Sequence, residues 1–354
     1  MNEKLLRVGI SQGDTNGVSY ELILKAFEDS RLYEFCIPVV YGSSKVLAYH
    51  RKALDLPSYN LNNINQAQDS GSNRLNILNV INDEIVVELG KQTPESIKAS
   101  EKSLKKALSD LNSGYIDVLL ASPATINFSD ILEEKEEKEK EQSINMLVND
   151  SLRVAFATDK VSLSEVSSLI TKDSIIGKIN ALHYALIHDF MITSPRIAIL
   201  SLNPQAGIND NPQKEELEII IPAMKEATEE GVFCFGPYSA DSFFSSDDYM
   251  SFDAVLAIYY DQGMIAFQTL TSGEGVLYTA NLPVICTAPN QTAAFEKAGK
   301  NISSPDSLRK AIYLAVDLYN NRKVDQHINR NPLKKQYFER GSDNEKLDLT
   351  KDEA

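Results

Sequence analysis

Two short segments hold the residues with the most chemical promise. Leu202-Asn203-Pro204-Gln205-Ala206-Gly207 and Tyr259-Tyr260-Asp261-Gln262-Gly263 each follow an apolar run. Asn-Pro initiates a turn and fixes the next side chain, and ligands of α/β sheets bind at the carboxyl ends of strands. A histidine at the fixed position of either frame would make sense as a metal ligand, but the occupants are Gln205 and Tyr260. Glutamine offers only a neutral oxygen, and tyrosine must lose a proton with a reference pKa of about 10 before it ligates. Whether these loops still hold a metal is the first question.

Other residues give weaker signals. Ser11-Gln12-Gly13-Asp14-Thr15-Asn16-Gly17 lies between a strand pattern and a helix pattern, so its amides can face an anion at the helix start. It is neither GxGxxG nor a Walker loop, and reads equally as a ligand loop or an ordinary turn. Asp241, closing Gly236-Pro237-Tyr238-Ser239-Ala240-Asp241, can bond a substrate hydroxyl or cap the next segment. The four histidines, His50, His183, His188 and His327, read as ordinary surface or satisfied side chains. No GxSxG elbow, HExxH helix or nucleophilic triad signature occurs.

These loops need a frame. Apolar runs at residues 5–10, 36–41, 116–121, 152–157, 196–202, 254–259 and 284–286 read as strands. They alternate with helical patterns at 21–27, 44–53, 100–112, 163–170, 174–189, 214–230, 293–298 and 304–321. Alternation of this kind predicts an α/β fold with a largely parallel sheet covered by helices. Residues 133–141, EEKEEKEKE, read as a solvated helix or loop rather than a binding site. The polar tail, 331–354, is densely charged from Glu339 and predicts disorder.

Composition narrows the function classes. A chain of 354 residues, 43% apolar, can bury an ample core. A formal charge of -15 argues against nucleic acid, whose phosphates require clustered Lys and Arg. Cys36, Cys234 and Cys286 form no CxxC pair and suit a reducing cytoplasm. The start lacks a leader pattern, and no apolar run nears the roughly 18–20 residues that span a bilayer. The expectation is a cytoplasmic protein without membrane contact.

Taken in order, the motifs resemble the 4-hydroxythreonine-4-phosphate dehydrogenase family of pyridoxal phosphate biosynthesis. The resemblance runs from about Arg7 to Arg322 and rests on GDTNG, Tyr41-Gly42-Ser43, residues 148–155, LNPxAG, GPxxAD, YxDQG and Leu282-Pro283. It implies one family domain over 1–330, made of two α/β/α subdomains with largely parallel sheets and a cleft between them, isocitrate/isopropylmalate dehydrogenase-like. Their approximate extents are 1–125 plus 285–330, and 145–284. It further implies a homodimer with interfacial sites that oxidises 4-phosphooxy-threonine with NAD and a divalent metal, Zn or Mg, held by three histidines. Such a metal polarises the reacting oxygen.

Carried over by position, the resemblance puts Lys160, Gln205 and Tyr260 at the three metal corners, so no metal is expected. Gln268 stands for a substrate lysine, Leu277 for an asparagine and Cys286 for an arginine, while Asp241 is retained. Asn290, Gln291 and Thr292 stand for a longer cofactor loop. The family's glycine-histidine-threonine substrate motif is replaced by the charged run. Three functions follow as expectations. The first is a degenerate or repurposed dehydrogenase-like protein with a cleft for a small anionic ligand. The second is an active NAD-dependent enzyme in which Lys160 meets Tyr260 across the dimer and lowers its pKa. The third is a partner of an active paralogue.

Overall fold

The computed structural model describes residues 5–81, 85–124, 143–204 and 213–330. Gln205, the 133–141 charged run and the 331–354 tail lie outside the described residues. Apolar runs early in the chain form β1 (Leu6–Ser11), β2 (Cys36–Gly42), β3 (Leu61–Ile64), β4 (Leu75–Asn79) and β5 (Val118–Leu120). Later come β6 (Ile144–Val148), β7 (Arg153–Phe156), β8 (Arg196–Leu200) and β9 (Phe233–Tyr238). The set ends with β10 (Ala254–Ala257), β11 (Val276–Ala280) and β12 (Cys286–Pro289).

These twelve strands form one sheet in the order β3-β4-β2-β1-β5-β12-β11-β6-β7-β10-β8-β9. Six positions come from residues 6–120 and 286–289, and six from 144–280. Within each group the pairing is parallel, apart from β6 and β11. Three successive antiparallel pairings, β12–β11, β11–β6 and β6–β7, join the groups. An odd number of reversals means that the two parallel sets run oppositely. Their carboxyl ends therefore emerge at opposite edges of the sheet.

Helices cover both faces, as buried parallel strands require. The first set is α1 (Ser19–Ala26), α2 (Ser44–Ala53), α3 (Pro94–Asn112), α4 (Leu163–Leu169) and α5 (Lys172–His188). The second is α6 (Ile221–Glu229), α7 (Ala240–Ser245), α8 (Tyr260–Leu270) and α9 (Asp306–Asn329). Strand alternation sorts the packing: Val118 and Leu120 face a core built with α1, α5, α6 and α9, while Leu119 faces α3. On the α3 side of the sheet, the second group packs α7 and α8 through Phe243 and Phe267. Thr93 and Thr171 cap α3 and α5 in reciprocal boxes with Ser96 and Ser174. No helix among the described residues is long and apolar enough to cross a membrane.

The structure departs from the expected elements in several places. Strands β3 and β4 carry asparagines that hydropathy reads as loop, yet Asn76 is fully buried and bonds Pro38 O at 3.0 Å and Gly71 O at 2.9 Å. Residues 214–230 are not one regular helix: a π turn at Glu216–Ile220 precedes α6. Residues 293–298 hold only a 3-10 turn, Phe295–Lys297, because Ala294 has φ +42°. Tyr260–Gly263 is not a loop but the first turn of α8.

The two groups are tied across α5 and α9 by a buried carboxylate. Asp189, just past α5, accepts from Arg322 Nε at 2.5 Å and from the Tyr278 hydroxyl at 2.5 Å, and its carbonyl accepts from Asn321 at 2.8 Å. Alongside, His188 Nδ1 lies 2.9 Å from Asp325.

A second buried group gives the fold a pH dependence. His50, 1% exposed, donates from Nε2 to Thr15 O at 2.8 Å and stacks on Tyr20. Burial pushes its pKa below the ordinary value, against the opposing Thr15 bond and the Glu21 charge. The unfolded chain therefore binds the proton first. Stability is present above the unfolded pKa of about 6.5 and is lost as pH falls toward the folded one. Urea midpoints should decline on acidification through that window, and His50→Gln should make the decline shallower.

Candidate functional site

The site is built where β7, β8 and β10 end. Thr158 anchors the exit of β7, its amide and hydroxyl both donating to Ile258 O at 3.1 and 3.0 Å. Asp159 follows and accepts from Asn145 Nδ2 at 2.8 Å, while Asn145 Oδ1 accepts from Thr279 at 2.7 Å. This polar chain crosses β11 and β6 because their register places Thr279 opposite Asn145. Nothing in the sequence signals it, since it depends on strand pairing.

Lys160 and Tyr260 meet, but within one chain rather than across a dimer. The ammonium sits 5.2 Å from the centroid of the Tyr260 ring, which also packs on Phe156. An exposed contact of this kind contributes about 0.5–1 kcal/mol. The contact does not bring the phenol pKa down. Burial, then the carboxylates of Asp261 and Asp159, raises the Tyr260 pKa. A phenol shifted this way is a poor base at neutral pH.

The two turn frames do converge. Gln262 Nε2 donates to Ser201 O at 2.7 Å, and its Oε1 accepts from Ile258 N at 2.9 Å. One side chain thus ties the start of α8 to the ends of β8 and β10. Gly263 is needed beside it, since a Cβ there would lie 2.7 Å from Val154 and 2.8 Å from Ala257. The Asn203 turn is fixed by buried Glu216, which accepts from its amide and from Nδ2, both at 2.9 Å. Gln262→Ala should cost about 1–3 kcal/mol by leaving a backbone amide and a carbonyl unpaired, readable as a lower denaturant midpoint.

Beyond this junction lies a cleft of about 340 Å3 lined by Asp241, Phe244, Tyr259, Asp261 and Ile265. Asp241 accepts from Ser239 Oγ at 2.6 Å and from Ser242 N at 2.8 Å, and these bonds lower its pKa. It therefore stays ionised while exposed, caught between the two roles expected of it.

The positions that the resemblance assigns to substrate offer no positive charge. Gln268 is exposed on α8, and Leu277, half-buried, faces Leu147 and Ala288 across β6 and β12. Cys286 is buried, and desolvation raises its thiol pKa far above the ordinary value. Leu277 and Cys286 both pack against apolar core on this face of the sheet.

At the opposite edge, the GDTNG loop is drawn into the fold. Residues 11–20 are all buried, and several of the loop amides are already used. Asp14 N donates to Pro123 O, Asn16 N to Asp14 Oδ1, Gly17 N to Asp14 O and Val18 N to Ala293 O. Gly13, at φ +66°, and Gly17, whose Cβ would stand 2.5 Å from Ala293 O, permit this close approach. The neighbouring loop differs: Asn290 Nδ2 and Gln291 Oε1 are buried without partners among the described residues, and Thr292 is exposed.

A divalent metal does not fit the corners that can be inspected. At the two corners that the resemblance assigns and the structure describes, Lys160 brings a cation of its own and Tyr260 a phenol whose pKa is raised, a donor set unlike the imidazoles, thiolates and carboxylates that hold divalent metals.

The family model described as pyridoxal phosphate biosynthetic protein PdxA matches residues 34–315. A 4-hydroxythreonine-4-phosphate dehydrogenase of Bacteroides thetaiotaomicron is 44% identical over 359 residues, covering 99% of this chain and 98% of that protein. One from Sulfurihydrogenibium is 33% identical, covering 90% and 100%. The crystal structure of a 4-hydroxythreonine-4-phosphate dehydrogenase from Burkholderia phymatum superposes with TM-score 0.69 at 26% identity, over 89% of this chain and 99% of that one. A putative one from Salmonella typhimurium, at 23% identity and TM-score 0.74 over 89% and 100%, shares the fold. Carrying the GDTNG, LNPxAG and YxDQG motifs in its sequence, the chain belongs to the PdxA family of pyridoxal phosphate biosynthetic proteins.

Proposed function

We propose that this chain is a 4-hydroxythreonine-4-phosphate dehydrogenase-like protein that keeps the family scaffold but has given up its divalent-metal chemistry, leaving it degenerate or repurposed for another small anionic ligand. The observation that carries this reading is the Lys160 ammonium over the face of a protonated Tyr260, at two of the three metal corners. Metal catalysis needs anionic or imidazole ligands around a site that stabilises developing negative charge. Here the fixed positive charge is Lys160. The substrate positions support the same reading, because Leu277 and Cys286 cannot donate to a phosphate.

In this proposal the two strand groups act as subdomains, with the cleft between α3 and α8. NAD is compatible with the 290–292 loop, where the unpartnered Asn290 donor and Gln291 acceptor would hold it and Thr292 would lie at its rim. NAD supplies a hydride acceptor when bound. The purified protein, given 4-phosphooxy-threonine, NAD and either Zn or Mg, is expected to show no turnover while retaining its fold. Turnover at an ordinary enzymatic rate would overturn the proposal.

The reading as an interaction partner rests on a separate observation. Edge strand β9 leaves Phe233 54% and Phe235 36% exposed, an apolar edge of the kind that proteins usually cover. A homodimer or a mixed dimer with an active paralogue would cover it. Co-expression with such a paralogue, followed by mass measurement of the purified complex, separates the two. A monomer in both preparations would remove this reading.

A further inference from the structure

On the sheet face opposite Leu277, where Tyr278 points, a cavity of about 1330 Å3 opens between α5 and α9. Its charged wall is largely self-neutralised, Arg322 by Asp189 and His188 by Asp325. Lys178 differs. Its ammonium donates to Ser143 O at 2.7 Å, and no carboxylate forms an ion pair with it among the described residues. Less than two turns further along α5, Tyr184 lines the same cavity, 55% exposed, with its ring 4.0 Å from that of His188. The cavity therefore offers a half-buried amine and an aromatic platform, and neither takes part in the site described above.

We propose that Lys178 is the amine of a carbonyl-binding site, one that takes an aldehyde carrying a planar ring and holds it as an imine. The neutral amine nitrogen attacks the carbonyl carbon, forming the C–N bond as the C=O π pair moves to oxygen. A proton passes from nitrogen to that oxygen through water. The carbinolamine then loses water to leave C=N, so one amine and one aldehyde give one imine and one water with no change in oxidation state. Burial assists the first step: it lowers the Lys178 pKa, against a weaker opposing pull from Asp159, so more of this lysine is unprotonated than of a solvated one. The ring of the ligand stacks on Tyr184. The inference does not depend on the fate of the metal corner, which is tested separately by turnover.

The test uses the full chain with benzaldehyde, and separately acetaldehyde, at neutral pH, with borohydride to reduce any imine and peptide mass mapping to find it. Lys178 is expected to carry the benzyl label several-fold more heavily than surface lysines such as Lys45 and Lys98. K178R should abolish that label at an unchanged melting temperature. Y184A should lower benzaldehyde labelling of Lys178 several-fold while leaving acetaldehyde labelling nearly constant, which a merely structural role would not do. Label spread over the surface lysines without preference for Lys178 in the wild-type chain would overturn the proposal, whether or not K178R folds. Equal loss of both labels in Y184A would overturn the ring-bearing part.

Discussion

Asp189→Ala should destabilise the protein by about 3–5 kcal/mol, the range observed when one member of a buried ion pair is removed. The carboxylate is 2% exposed and is the shared acceptor for Arg322 and the Tyr278 hydroxyl. Burial opposes the charge on Arg322, but its bond to Asp189 wins and the guanidinium pKa rises, while the Tyr278 phenol is pushed well above its ordinary value. Alanine would leave a guanidinium with little access to water beside an unpaired hydroxyl. A negative charge at the end of a helix is otherwise unfavourable, so Asp189 is in place because α9 answers it. Urea denaturation of the wild type and variant gives the difference directly. A loss below about 1 kcal/mol, the scale of an exposed ion pair, would show that the contact does not hold the two strand groups together.

Restoring histidine at all three corners, as Lys160→His with Gln205→His and Tyr260→His, should not restore dehydrogenase turnover. A metal alone does not position a phosphorylated substrate. Charge-assisted hydrogen bonds contribute about 1.5–3 kcal/mol each. Two lost donors therefore remove roughly 3–6 kcal/mol, or about two to four orders of magnitude in affinity. Gln268 and Cys286 stand where the resemblance places those donors, and Cys286 lies where burial disfavours charge. Calorimetry with Zn on the triple variant, alongside turnover, separates the outcomes. Metal binding without catalysis is the expected result, and substantial turnover would show that these positions still accept substrate.

Legibility in the sequence followed the physics of each element. Strands β1, β2, β8 and β10 are short apolar runs buried on both faces, and their hydropathy alone marks them. Strands β4 and β11 were hidden because their polar side chains are satisfied by distant partners: Asn76 by the backbone of residues 38 and 71, and Tyr278 by Asp189 and Arg322. The turn frames of the site were legible, since Asn-Pro and DQG fix local conformation. That Lys160 would lie over the Tyr260 ring, raising no base there, needed the register of β7 against β10. The GDTNG loop stayed ambiguous for a related reason. Its composition suits a ligand, but the Pro123 and Ala293 backbones that use its amides lie more than a hundred residues away.

The placement of β12 and α9 also has a consequence for how the chain matures. Strand β5 pairs with β1 on one side and with β12 on the other, and α9 packs on both β5 and β12. During synthesis the N-terminal strands can assemble early, but β5 remains an open edge until residues 286–289 arrive. Non-local pairing of this kind slows folding and leaves unpaired strands prone to aggregation. A nascent chain stalled after β11 would therefore present an unfinished sheet, making release of the final segment the step that commits the protein to its native state.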